Sequence, residues 1–314
     1  MDANNEEYHK AFLAIDVGGT NLKSAVFNTK AEMMDDSHYT IDTRSDGARE
    51  EILEAFEITV KRGLKYICNI GLIPGGIGIA FPGPFDYLKG IPLMKHKFLS
   101  IKGINLRKFL REIPGLTENI PINFVHDVNA VLAGELWKGN AHGYSNAAVV
   151  TLGTGLGFAF SKDKIIQCNS FGGPLVSVYN IPFKDGILED YTGRKGFLRI
   201  YNKISGKNLD GIDVSDIAIR ASTGDPDSVN TFHEVAKILS LALHDILIKH
   251  EIQCLLFGGQ ISRSFWLLEG PLNDQLKDIK NLQKVSVVKS IDNASFLGAL
   301  KPFWDKISDR NRNH

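Results

Sequence analysis

Several short stretches of this sequence concentrate residue types that can do chemistry. In DVGGTN, residues 16 to 21, Gly18 and Gly19 permit positive φ and close backbone approach, and Thr20 offers a hydroxyl. Consecutive exposed N–H groups there form a concavity suited to phosphate oxygens. Asp16 could hold Mg2+ through a water, because Mg2+ sheds its hydration shell reluctantly, and Lys23 could meet phosphate charge. LGTGLG, residues 152 to 157, repeats the design: Gly153, Gly155 and Gly157 free the backbone and Thr154 adds a donor. In LLFGGQIS, Gly258 and Gly259 end an apolar run where flat backbone could lie against a base or ribose. INFVHDVNAVLAGELW, residues 122 to 137, runs into His126-Asp127 and then into a helical pattern. A carboxylate at that junction suits a helix cap, a metal ligand or a catalytic base, and the residues alone leave all three open. Taken alone, DVGGTN reads first as an ordinary glycine hairpin, and Gly258-Gly259 reads as well as a tight strand-to-helix turn. Two similar loops, each between apolar strands, could clamp a polyphosphate from opposite sides.

The elements that must position these residues are legible in the hydrophobic pattern. AFLAIDVGG and LKSAVF read as two buried strands about a glycine turn, followed by a more polar strand near HYTIDT. From Ala48 to Ile67, apolar residues at Ile52, Phe56, Val60, Leu64 and Ile67 recur at helical spacing. GGIGIAFPGP returns to strand and stops at Pro82 and Pro84. The order then repeats: INFVHD as strand, a helix to about Trp137, and NAAVVTLGTGLGFAFSKD as two strands about a glycine turn. Residues 231 to 249 carry Ile238, Leu239, Ala242, Leu243 and Ile246 on one helical face, CLLFGG is a buried strand, and Leu297, Leu300, Trp304 and Ile307 mark a closing helix. This alternation predicts mixed α/β sheets covered by helices, with ligands beyond strand ends and in a cleft between two domains. The boundary is placed near residue 122: an N-terminal domain of residues 1–121, joined by the closing helix 294–308, and a C-terminal domain of residues 122–293.

Composition narrows the function. A chain of 314 residues, 43% hydrophobic, can fill two cores. Lys+Arg and Asp+Glu both number 36, so no global field points to nucleic acid, membrane or a polyanion, and a small partner is expected. Cys68, Cys168 and Cys254 lie far apart without a Cys-x-x-Cys pair, which argues against disulfides and a local zinc cluster and for buried free thiols. The start, MDANNEEYHK, lacks the order of a signal peptide and no apolar run approaches a membrane span, so a cytoplasmic protein is expected.

The ordered set IDVGGTNLKSAVF, GIGIAFPGPFD, FVHDVNAVLAGE, VVTLGTGLGFAF, LLFGGQISRS and NASFLGAL resembles the ROK family of sugar kinases and sugar-responsive repressors, over roughly residues 12 to 301. Any one motif is unspecific, whereas six in the family's order are strong. The resemblance implies a two-domain actin-like, ribonuclease H-like ATPase fold with the active site in the interdomain cleft. It also implies ATP with Mg2+, and transfer of the γ-phosphate to a sugar hydroxyl. By position, Gly18, Gly19 and Thr20 fall in the first phosphate loop, Gly153, Thr154 and Gly155 in the second, and Gly258 and Gly259 in the adenosine motif. Asp127 matches the family's catalytic aspartate, Pro82 and Gly83 lie in the loop bordering the acceptor, and a homodimer is implied.

The acceptor side departs from the family. Members usually carry Glu-x-Gly-His after the second phosphate loop, where this chain has FGGPLVSVYN, with Pro174 near the expected Glu and Ser177 near the expected His. The usual cysteine-rich zinc motif is replaced by NIPFKDGILEDY, so no structural zinc is expected. Glu189 matches a glutamate that normally reaches the sugar, with a solvated helix-start residue as the plain alternative. His126 stands where the family often has Asn, either as a packed side chain or as a sugar contact. Lys95, His96 and Lys97 follow the FPGPFD loop as a solvated basic turn or as cations favouring an anionic sugar. A site built for hydroxyls loses discrimination steeply when those partners vanish, so ordinary glucokinase activity is doubtful. The leading expectation is a kinase of a hexose or hexose derivative. The alternatives are a non-catalytic sugar sensor on the same fold and an actin-like ATPase without an acceptor. The family's repressors carry a helix-turn-helix domain ahead of the first loop, and with about ten residues there and zero net charge, direct DNA binding is not expected.

Overall fold

The computed structural model describes residues 9–95, 97–206 and 211–312, with side chains in the last helix described as far as Lys306; His96 and the Ile307 side chain lie outside the described residues. The chain divides into two compact units. In the first, β1 (Lys10–Val17) and β2 (Asn21–Asn28) form an antiparallel hairpin about the Gly18-Gly19 turn, and β3 (Tyr39–Asp42) adds to the edge. β4 (Ile73–Phe81) runs parallel to β1, and β5 (Ile122–His126) parallel to β4, giving the order β3-β2-β1-β4-β5. Between β3 and β4, α1 (Arg49–Asn69) buries Ile52, Phe56, Val60, Leu64 and Ile67 in one apolar core with Leu13, Ile15, Ile77 and Ile79 of the sheet. Its start has half a capping box, since Ala48 has no side-chain acceptor and only the Glu51 carboxylate takes the Ala48 N–H, at 2.8 Å.

The first unit runs through Gly134 and takes back Cys168–Gly173, so the domain limit drawn at residue 122 falls too early. The cause is strand pairing. Every partner of β5 lies on β4, from Ile77 opposite Ile122 to Phe81 opposite His126, and a buried strand stays where its backbone groups are satisfied.

The second unit repeats the arrangement. β6 (Ala147–Leu152) and β7 (Leu156–Lys162) pair antiparallel about the Gly153–Gly155 turn, and β8 (Ile165–Ile166) extends the edge. β9 (Cys254–Gly258) runs parallel to β6 and β10 (Lys284–Val287) parallel to β9, giving the order β8-β7-β6-β9-β10. Helix α2 (Asp127–Lys138) follows β5 directly; α3 (Arg194–Ser205) and α4 (Pro226–Lys249) supply Phe197, Phe232, Val235, Leu239 and Leu243 to the second core. α4 begins before the periodic stretch at 231, because Asp225 accepts the Ser228 N–H at 3.0 Å and Pro226 is preset for a helix start.

The closing helix, α5 (Ala294–Arg312), supplies Ser295 onward to the first unit. Phe303 stacks on Phe12 at 5.7 Å, the Ala299 carbonyl accepts from Asn123 Nδ2 at 3.1 Å, and Gly298 lies so close to the Ala130 carbonyl that no side chain fits. The thiols are free, but only Cys254 is buried. Cys68 sits on the exposed side of α1 and Cys168 in an exposed turn, outside both apolar cores. No helix among the described residues is long and apolar enough to cross a membrane.

Candidate active site

The carboxyl ends of three neighbouring parallel strands in the first unit bring Asp16, Pro82-Gly83 and His126-Asp127 to one edge. The register places Asp16 beside Ala80 and Phe81 beside His126. Ligands of α/β sheets bind at such ends because the strand-to-helix turns expose backbone and polar side chains there. Asp127 Oδ1 accepts the Val128 N–H at 2.7 Å and sits 2.7 Å from His126 Nδ1. This contact sets the imidazole with Nδ1–H toward the carboxylate and leaves Nε2 as the other functional atom. Burial alone would raise the Asp127 pKa; the His126 charge and hydrogen bond, with the Val128 amide, outweigh it and hold Asp127 below the usual carboxylate value. The side chain keeps 43% of its surface exposed, so that desolvation is partial. Its second oxygen, Oδ2, has no protein partner among the described residues.

Asp16 behaves oppositely. Burial and the nearby Asp127 charge push its carboxyl up to about 6, against Lys23 and a Ser295 hydrogen bond. Lys23 is directly opposite Asp16 across the β1–β2 hairpin, so its charge works on the carboxylate as well as being available to a phosphate. Two repelling carboxylates at one sheet edge fit a divalent cation. No three His, Cys, Asp or Glu side chains among the described residues converge on a metal position, so Mg2+ would be held by one or two carboxylates, water and phosphate oxygens.

The first glycine loop is braced from outside. The Gly18 N–H closes the turn on the Asn21 carbonyl at 2.9 Å, and Ser45 Oγ donates to the Gly19 carbonyl at 2.5 Å. Thr20 is exposed at the tip, and its carbonyl accepts the Thr43 N–H at 2.9 Å. The Phe98 N–H in turn donates to the Ser45 carbonyl at 2.7 Å, which lays Lys97 along the loop: a Cβ at Gly19 would run into Lys97 Nζ. The basic turn thus delivers one of its cations to the first glycine loop, a placement no local pattern reveals. Gly83 faces His126, where a Cβ would stand 3.1 Å from Nε2 and 3.4 Å from the Tyr87 hydroxyl.

Tyr87 went unread in the sequence. Its hydroxyl donates to the Phe81 carbonyl at 3.0 Å, its ring lies 5.6 Å from that of His126, and burial with the Asp127 charge raises its pKa well above normal, so it stays a neutral donor. Asn129, in the first turn of α2, donates from Nδ2 to the Gly172 carbonyl at 3.2 Å and to Cys168 Sγ at 3.4 Å. Those bonds pin the turn leading into Pro174 beside the Asp127 helix. Ser177 is exposed and bonded locally to Asn180 Oδ1 at 3.0 Å.

In the second unit the Gly153–Gly155 turn closes by the Gly153 N–H on the Gly155 carbonyl at 3.1 Å, and the Gly153 carbonyl accepts from Arg194 N at 3.0 Å. Thr154 sits exposed at its tip. Glu189 Oε2 accepts the Leu156 N–H at 2.8 Å, and a Cβ at Gly155 would lie 2.5 Å from that oxygen. Glu189 is therefore tied to the second glycine loop rather than solvated. Gly258 ends β9 opposite Thr151, and Gly259 has φ +81° where a Cβ would run into the Leu152 carbonyl oxygen, a place only glycine fills.

A glycine-turned hairpin followed by parallel strands, used once in each unit, defines the two-domain actin-like ATPase fold. A crystal structure of a ROK family glucokinase from Streptomyces griseus, in complex with glucose and AMPPNP, superposes with a TM-score of 0.78 at 20% identity, covering 93% of this chain and 98% of that one. The chain belongs to the ROK family, whose model matches residues 12–174 and 183–304. Among its relatives are a glucokinase from Halalkalibacterium halodurans, 23% identical over 85% of each chain, and an N-acetyl-D-glucosamine kinase from Haemophilus influenzae, 22% identical over 94% of this chain and all of that one.

Proposed function

We propose that this protein is an ATP-dependent sugar kinase that transfers the γ-phosphate to a hydroxyl of a hexose or hexose derivative, with Asp127 as the general base. The observation that carries the reading is the state of Asp127. It is an ionised carboxylate at the edge of the first sheet, with one oxygen held by Val128 N–H and His126 and the other unengaged. Phosphoryl transfer asks the protein chiefly to position and to stabilise charge, and a fixed carboxylate oxygen orients the acceptor hydroxyl and receives its proton. Gly18, Gly19, Thr20 and Lys97 serve the phosphates from the first loop, and Gly153, Thr154 and Gly155 from the second. Gly258 and Gly259 serve the adenosine. Mg2+, held by Asp16 through water, would neutralise phosphate charge.

Sugar kinases among the relatives support the reaction class. On the acceptor side, Pro82, Gly83 and His126 border the Asp127 carboxylate, and His126 Nε2 offers a hydrogen-bonding atom where Pro174 and Ser177 offer no carboxylate or imidazole. This favours an acceptor recognised by fewer charged contacts than glucose in an ordinary glucokinase site. Glu189 acts mainly on the second loop in this reading. A homodimer, implied by family resemblance, is part of the proposal and is checked by mass in solution. A second reading, a sugar sensor without turnover, is favoured by Pro174 and Ser177 standing near the positions of the family's sugar-contacting Glu and His. The deciding experiment couples ADP release from Mg·ATP to a panel of hexoses, acetamido sugars and acidic sugars. Acceptor-dependent release supports the kinase and names its substrate class, whereas saturable sugar binding with no release on any acceptor replaces it with the sensor.

A further inference from the structure

The second unit contains a cavity of about 1170 Å³ that none of the glycine-loop residues lines. Its wall joins α3, α4, the helix Glu269–Leu276 and the segment around Lys184 and Tyr191. Four cations, Lys184, Arg199, Lys203 and Lys237, border it, with the carboxylates of Asp185, Glu234 and Asp274 and the His233 imidazole also in the wall. Arg199 and Lys203 stand one turn apart on α3, and α3 packs on α4, which carries Lys237 and Glu234. The Arg199 guanidinium lies 3.9 Å from the centre of the Tyr191 ring and Lys184 Nζ 5.3 Å from it. None of the four cations is in an ion pair among the described residues. The four cations outnumber the three carboxylates by one, and, being solvent-exposed, they can turn onto a bound anion.

Both flanks of this cavity are wired to the second glycine loop. Tyr191 lies on the short helix Glu189–Thr192, whose Glu189 accepts the Leu156 N–H at 2.8 Å. α3 begins at Arg194, whose N–H donates to the Gly153 carbonyl at 3.0 Å. A ligand drawn to Tyr191, Arg199 and Lys203 therefore pulls on the two segments that hold the loop.

We infer that this cavity is an effector site for a phosphorylated sugar, separate from the catalytic centre and coupled to ATP binding through Glu189 and Arg194. The phosphoryl group meets the Lys184–Arg199–Lys203–Lys237 cations. The polyol meets Glu234, Asp274 and the polar wall, and the volume suffices for a small molecule of this class. The choice of a sugar phosphate over another phosphomonoester rests on the kinase reading above; the site itself does not.

The test uses the full chain and calorimetric titration with glucose 6-phosphate, inorganic phosphate and glucose as separate probes. It compares the unaltered protein, Asp127→Asn, and the charge-reversed double variant Lys203→Glu/Lys237→Glu, whose folding is checked by circular dichroism. The expected result is saturable glucose 6-phosphate binding that persists in Asp127→Asn and weakens at least tenfold in the double variant. Addition of glucose 6-phosphate should also change KM for ATP at least threefold in the unaltered protein and not in the double variant. Single reversals at Lys203 or Lys237 provide the same readout should the double variant fail to fold. Equal affinity for inorganic phosphate, binding indifferent to the reversals, or no binding would overturn the inference. So would reversals that alter only the sedimentation mass, because the cavity would then be a contact face between copies. Binding in a protein without any kinase turnover would leave this inference standing and defeat the kinase reading; turnover without binding would do the reverse.

Discussion

Replacing Asp127 in two ways separates chemistry from architecture. Asparagine keeps an acceptor oxygen in the Oδ1 position, so the Val128 N–H at 2.7 Å and the His126 Nδ1 contact at 2.7 Å both survive. What it loses is the ionised oxygen that takes the proton. A positioned general base contributes typically 10²- to 10⁴-fold, so kcat should fall by that factor, roughly 2.7 to 5.5 kcal/mol of barrier, with KM for ATP little changed. Alanine removes both accepted hydrogen bonds as well. The Val128 N–H stands at the start of α2, where losing such an acceptor costs about 0.5 to 2 kcal/mol, so Asp127→Ala should show the same kcat loss plus a lower midpoint of unfolding. Steady-state kinetics on the preferred acceptor and chemical denaturation read the two effects independently. A kcat in Asp127→Asn within about tenfold of the unaltered enzyme would refute the base assignment, since that lies well below the range for a working base. A far larger kcat loss in Asp127→Ala than in Asp127→Asn would show that the carboxylate acts mainly by holding His126 and α2.

Four further outcomes follow from the same geometry. Asp127 has a folded pKa below its unfolded value, so it contributes stability above the unfolded pKa that is lost as pH falls through the folded one. The same depression gives Asp127 an acid limb of kcat below the usual carboxylate value, distinct from any limb at about 6 set by Asp16. His126→Asn removes the main opposing charge and should move the acid limb of the pH–kcat profile upward; an unmoved limb would remove His126 from the account. Lys97→Gln should raise KM for ATP by about 3- to 10-fold, or roughly 0.6 to 1.4 kcal/mol of binding, with kcat less affected; an unchanged KM would leave Lys97 as a solvated lysine. Gly259→Ala places a Cβ against the Leu152 carbonyl at φ +81° and should lower stability by roughly 2–4 kcal/mol in denaturant unfolding, whereas a neutral effect would mean that the turn relaxes freely.

Local patterns carried the regular parts of this chain. Steps of three and four from Ile52 to Ile67 describe α1 because one face of that helix meets a sheet and nothing else competes for it. The glycine hairpins at 18–19 and 153–155 were legible because a tight turn between apolar strands demands residues free of Cβ constraint. By contrast, the helices Arg194–Ser205 and Val214–Ser222 escaped notice. Their apolar residues do recur at helical steps, Phe197, Ile200 and Tyr201 in the first and Val214, Ile217, Ala218 and Ala221 in the second, so the local signal was present in the sequence.

Residue order alone therefore reaches the family, the fold class and the motifs, because hydrophobic period and turn chemistry are properties of neighbours in the chain. Which side chains share a site is decided by pairing and packing. β5 joins β4 rather than the strands that follow it, and this puts His126 beside Phe81 and Gly83. Ser45 and Phe98, 53 positions apart, meet through one backbone hydrogen bond and carry Lys97 to Gly19. Tyr87 gains its neighbours His126 and Gly172 the same way. These contacts lie outside any sequence window, since they exist only once the chain has satisfied its backbone hydrogen bonds and buried its apolar faces.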